Sequence, residues 1–130
     1  MNSKIQLKDG LLYTFIKLMH EGECIVVENV IIDTGAFHTI ISTDFLDELG
    51  AKFADDDKLI EASGYGGGSS YAVRKRIDGI ACDNMELKDF KIDFGEIDPN
   101  ERVNGLLGLD FLMKAELVID LVELIMYKKN

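Results

Sequence analysis

Proline, cysteine and long apolar runs are scarce in this chain. Only 1 proline interrupts its 130 residues, and 47% are hydrophobic. No linker, internal repeat or low-complexity segment divides it. Length and composition fit one globular domain over residues 1–130 with its own core. The longest apolar stretches, Leu11–Met19 and Leu117–Met126, are too short to span a bilayer and are broken by Lys17, Asp120 and Glu123. A membrane partner is therefore not expected. The opening MNSKIQLKDG is polar and lacks the apolar run and small-residue cleavage site of a signal peptide. Two cysteines, Cys24 and Cys82, make no disulfide framework, and a reducing compartment would keep them free. The expected location is the cytoplasm.

Positive charge is also short. Fourteen Lys and Arg face 24 Asp and Glu, a net charge of −10. This argues against a nucleic-acid partner, whose binding rests on cations that release counterions from phosphate. The one basic cluster is Arg74-Lys75-Arg76. An acidic balance suits neutral or basic partners. Metal signals are weak: of His20, Cys24, His38 and Cys82, only the first two have useful local spacing, and no paired CxxC is present. Gly64-Tyr65-Gly66-Gly67-Gly68-Ser69 does not complete a G-x-G-x-x-G pattern, no GK[ST] follows, and strand-like arms flank it. No metal or cofactor is expected.

Most of what is present reads as strand. Leu12–Met19, Cys24–Val27, Val30–Asp33 and Thr39–Ser42 are rich in β-branched and aromatic residues, with a turn at Glu21-Gly22-Glu23. The pattern then changes. Ser42 or Thr43 can cap a short helix whose Phe45, Leu46 and Leu49 share a face, and Gly50 can end it. Two extended arms flank Gly64–Ser70, as in a long hairpin. Leu87–Phe94 alternates, Asp98-Pro99-Asn100 marks a turn, and Leu109–Ala115 can form a second short helix. From Glu116 to Lys129, periodicity allows either a helix or a strand pair, and Leu121-Val122 is not a usual turn. The class is mostly β with one or two short helices.

One acid stands out. Asp33 follows Val30-Ile31-Ile32 and precedes Thr34-Gly35-Ala36. A strand end would hold this carboxylate rigidly. Gly35 would let the chain turn and bring backbone N–H groups onto it, which favours the ionised form. Such an acid suits the activation of water. An ordinary turn between two strands would show the same triplet.

Ile31-Ile32-Asp33-Thr34-Gly35-Ala36, the glycine-rich hairpin Gly64–Ser70 and Gly105-Leu106-Leu107-Gly108-Leu109-Asp110-Phe111-Leu112 occur in the order found in the retropepsin-like aspartic proteases. The chain resembles that family from about Leu11 to about Tyr127. The resemblance implies a closed β-barrel, one lobe per chain. It also implies an aspartic endopeptidase in which two carboxylates about 3 Å apart share a proton and activate water. Asp33, Thr34 and Gly35 would be the catalytic triplet. Ala36, Phe37, His38, Leu107 and the flap glycines Gly66, Gly67 and Gly68 would contact a peptide or protein substrate. The chain holds no second Asp-Thr-Gly or Asp-Ser-Gly, so the site would be made twice, in a homodimer. Two carboxylates and a water would suffice without a metal or cofactor.

The sequence departs from many viral members at one support. There an acid after Asp-Thr-Gly-Ala pairs with an Arg after the apolar-apolar-Gly element. Here those positions hold Phe37, His38 and Leu109, which suggests apolar packing of Phe37 on Leu109 instead. The alternative function is a catalytically inactive peptide-binding or dimerisation module on the same fold.

Overall fold

The computed structural model describes residues 3–63, 69–98, 100 and 102–129. Strand β1 (Ser3–Lys4) is followed by β2 (Gln6–Lys8), β3 (Leu11–His20) and β4 (Glu23–Ile32). Two-residue turns at Asp9-Gly10 and Glu21-Gly22 join β2 to β3 and β3 to β4, with positive φ at all four residues. That is the turn geometry that matches the twist of paired strands. Strand β5 (Ile40–Ser42) leads into helix α1 (Asp44–Leu49), which ends on a left-handed Gly50. Strands β6 (Lys58–Ser63), β7 (Ser69–Cys82) and β8 (Met85–Gly95) form a meander. Strand β9 (Gly105–Leu107), helix α2 (Leu109–Lys114) and strands β10 (Leu117–Asp120) and β11 (Ile125–Lys128) complete the chain.

Eight strands run in the order β2-β3-β4-β9-β5-β8-β7-β6, and β3 also pairs with β7 through Leu18 and Ile80. That pairing joins the sheet to itself and closes a barrel. The sequence alternation is expressed as burial: Ile16 and Leu18 on β3, Ile77 and Ile80 on β7, and Ile92 and Phe94 on β8 are fully buried. Phe111 of α2 meets Phe90 edge-on across this core. A register shift between Thr14 and Ile16, opposite the positive-φ Asn29, bends the β3–β4 pair. Beyond it, Val30 and Ile31 still pair with Thr14 and Tyr13 of β3, and Val30–Ile32 also run parallel to β9.

The ambiguous C-terminus is a strand pair. β10 and β11 pair antiparallel, and β1 adds to the other edge of β11 to make a second, three-stranded sheet.

Candidate active site

Strand β9 lies between β4, to which it is parallel, and β5, to which it is antiparallel. The segment 33–39 therefore leaves the end of β4, crosses over the end of β9 and returns on its far side as β5. Asp33 is the first residue of this crossover. Its N–H donates to the Leu107 carbonyl at 3.0 Å, which extends the β4–β9 ladder by one residue and fixes the strand end. The Gly35 N–H donates to Asp33 Oδ1 at 2.8 Å, and the Ala36 N–H to the Asp33 carbonyl at 3.2 Å. A Cβ on residue 35 would sit 3.1 Å from Asp33 Oδ1. Glycine thus leaves room for the carboxylate to bend back onto the turn. Asp33 is partly buried, while Thr34 and Gly35 are exposed.

The crossover is held from below by α2. Leu109 and Asp110 donate their N–H groups to the carbonyls of Ala36 and Phe37, both at 2.9 Å. The first turn of a helix has no internal acceptors for these donors, and the loop supplies them. The approach is close: a Cβ on residue 108 would lie 2.8 Å from the Phe37 carbonyl oxygen and 2.9 Å from the His38 carbonyl carbon. Thr39 completes the clamp. It is fully buried, its hydroxyl donates to Asp110 Oδ1 at 2.7 Å, and that hydroxyl accepts the Gly108 N–H at 3.0 Å. The Thr39 N–H lies 3.0 Å from both Asp110 oxygens, and Asp110 Oδ1 also accepts the Phe111 N–H at 2.8 Å. On the other side the Asp93 N–H donates to the Thr39 carbonyl at 3.1 Å. The Asp93 carboxylate receives the Arg74 fork at 2.7 and 3.1 Å, so the clamp reaches strand β7.

The sequence alone assigns no role to Thr39 or Asp110. Asp110 lay within the Leu-Leu-Gly-x-Asp-Phe-Leu stretch, but its partner is 71 residues away and looks like an ordinary strand residue. The support expected from Phe37 on Leu109 takes this polar form instead, two residues beyond Phe37 and one beyond Leu109. Phe37 is 58% exposed and meets the His38 ring edge-on at 4.8 Å.

The other residues singled out are not all brought together. Phe37 and His38 line a cavity of about 540 Å³ between the crossover and the base of the β6–β7 hairpin. Thr34 lines a different one, of about 660 Å³, with Leu109, Leu112, Met113, Leu117 and Ile119. Leu107 requires a correction: its side chain is fully buried in the core and offers no surface to a ligand in this subunit. It meets the site through its carbonyl oxygen. Gly66, Gly67 and Gly68 lie outside the described residues; the arms beside them pair as far as Ser63 and Ser69. Among the described residues, no group of three or more His, Cys, Asp or Glu is placed to hold a metal ion. No described helix is long and apolar enough to cross a membrane.

An acid held at a strand end inside a crossover loop, on a closed β-barrel, defines an acid-protease fold with one lobe. Comparison with known proteins agrees. The sequence profile of the family described as Aspartyl protease matches residues 17–111. The fold is similar to the crystal structure of a retropepsin-like aspartic protease from Rickettsia conorii, with a TM-score of 0.63 and 22% identity over 97% of this chain and 87% of that one. No curated sequence matches. The chain belongs to the aspartyl protease family, and its fold is retropepsin-like.

Proposed function

We propose that two copies of the chain form an aspartic endopeptidase whose catalytic dyad is Asp33 of each subunit. The observation that carries this reading is the crossover itself. It fixes one carboxylate at the end of β4, and the adjoining Thr34 is exposed beside a largely apolar cavity. One carboxylate cannot act as base and acid at once, and a second copy supplies the other.

Two carboxylates in contact share one proton, because both cannot ionise at that distance. The ionised member takes a proton from a water between them. The resulting hydroxide forms a bond to the peptide carbonyl carbon. The protonated member gives its proton to the carbonyl oxygen. The Asp33 that took the water's proton passes it to the nitrogen, the C–N bond breaks, and the other Asp33 takes back a proton from a hydroxyl of the collapsing intermediate, which restores the dyad. The pair titrates as a unit, so neither Asp33 has a pKa of its own. Gly35 shapes the turn, and Thr34 reaches toward the partner subunit. Ala36, Phe37 and His38 form a wall beside the substrate. The hairpin tip with Gly66–Gly68 acts as a flap over an extended peptide held as an added strand. A reducing cytoplasm suits Cys24 and Cys82, which are not joined in a disulfide.

The test is a cleavage assay without a preselected substrate. The protein and its Asp33→Asn variant are each incubated with a denatured proteome library between about pH 4 and pH 8. New peptide termini are counted by mass spectrometry. Termini that appear only with the unaltered protein support the proposal. The same termini with both proteins, or none from a folded dimer, contradict it.

A further inference from the structure

The cavity beside Phe37 and His38 carries charge that the protease reading does not use. Its apolar surface is the exposed ring of Phe37 and the buried Phe90. Around it stand Lys58, Arg74, Lys91 and Lys114. Lys58 and Arg74 face each other across the base of the β6–β7 hairpin, Lys91 is on β8, and Lys114 ends α2. Four cations thus converge on one cavity in a chain of net charge −10.

Three carboxylates also line it, and two of them are engaged elsewhere. Asp110 spends its oxygens on Thr39 and the Phe111 N–H. Asp89 Oδ1 accepts Arg76 Nη1 at 2.6 Å. Arg74 in turn is held by Asp93. The donors to Asp110 are neutral and leave it charged, so what remains is Asp56 and Asp110 against the ammonium groups of Lys58, Lys91 and Lys114, none of which forms an ion pair among the described residues; the cations outnumber the carboxylates. Like charges brought together around an apolar floor favour an anion with a short apolar stem.

We infer that this cavity is a specificity subsite for an acidic side chain, Asp or Glu, of an extended peptide lying along the crossover. The proposal rests on the protease reading for the peptide's path. Phe37 and His38 are only a few residues beyond Asp33, so the side chain that enters the cavity belongs to a residue near the scissile bond. The occupant is opposite in charge to the one that the overall acidity of the chain suggests. Local arrangement, not net charge, decides it.

Two measurements on the full chain test this. In the first, peptides cut by the unaltered protein are aligned on the cleaved bond. The subsite predicts one position within a few residues of that bond where Glu is preferred over the isosteric Gln by about threefold or more, the range of a partly exposed ion pair. The preference shrinks in Lys58→Met and Lys91→Met, and reverses toward Lys and Arg in the Lys58→Glu/Lys91→Glu double variant. The readout is the preference at one position, not the rate. In the second, the Asp33→Asn protein captures peptides from a soluble random decapeptide library, and the captured sequences are read by mass spectrometry. Acid-rich capture that is lost in Asp33→Asn/Lys58→Met/Lys91→Met supports the subsite independently of catalysis. Cleavage without acidic preference leaves the protease and overturns the subsite. Acid-selective capture without cleavage overturns the protease and leaves the subsite. Neither cleavage nor acid-selective capture overturns both.

Discussion

Thr39 ties together segments that are far apart in sequence, and its loss should be felt well beyond one side chain. Thr39→Val keeps the shape but leaves the buried Gly108 N–H without its acceptor and removes a donor from Asp110. A loss of about 2 kcal/mol is expected, the cost of stranding a buried polar group, and urea unfolding would measure it. Thr39→Ser should recover most of the stability. A valine variant as stable as the parent would show that the clamp is not needed. Gly108→Ala acts on the same contact sterically. Its Cβ would meet the backbone of Ala36, Phe37 and His38, so about 1–3 kcal/mol of stability should be lost as the crossover is pushed aside. Peptide cleavage should fall with it. At this scale the sequence was readable where the chemistry is contiguous. Asp33, Thr34 and Gly35 are adjacent, and a strand ahead of them gives the acid its context. Thr39 and Asp110 were not readable, because a hydrogen bond across 71 residues leaves no local pattern.

The β6–β7 hairpin is the element whose anchoring matters most for the proposed flap. Lys75 on β7 is only 3% exposed, and its ammonium contacts both oxygens of Asp57, 6% exposed, at 3.0 and 2.8 Å. Burial works against ionising Asp57, but the Lys75 hydrogen bonds, the Ala54 N–H and the nearby charge of Lys75 outweigh it and hold the carboxyl below its ordinary value. A carboxyl depressed by folding contributes stability that is fully present above its unfolded value, about pH 4, and lost as pH falls through the lower folded value. Lys75→Met strands this carboxylate and should cost about 3–5 kcal/mol near neutral pH. The gap in Tm between parent and variant should narrow as pH drops below about 4. A gap independent of pH would assign the loss to packing alone. The hairpin arms were legible as two extended segments around a glycine run. The C-terminal pair was not, because its turn lacks the usual residues at its tip. Asp120 instead accepts the N–H groups of Val122 and Glu123 at 2.9 and 3.0 Å, and Leu124 takes a positive φ. Pairing with β1, from the opposite end of the chain, adds support that a local reading cannot weigh.

The whole molecule is the scale at which the proposed activity exists. One chain provides one Asp33, and the surface beside Thr34 is mostly apolar: Leu109, Leu112, Leu117 and Ile119 line its cavity with Met113, which is 67% exposed, alongside the charged Glu116 and Lys129. On the proposed reading the second subunit covers this surface. Met113→Lys should leave the monomer's thermal stability nearly unchanged, as exposed substitutions do. It should weaken dimerisation by about tenfold or more in sedimentation equilibrium, because taking an ammonium group out of water at an apolar contact is costly. An unchanged association constant would place the interface elsewhere. The central claim, that catalysis needs Asp33 from both subunits, is tested most directly by mixing. The unaltered protein is mixed with Asp33→Asn protein, allowed to exchange subunits at fixed total concentration, and assayed for peptide cleavage. If only the dimer with two aspartates is active, an equal mixture retains about a quarter of the starting activity, and activity follows the square of the unaltered fraction. A linear decline, with about half retained, would mean that each subunit works alone and would contradict the account.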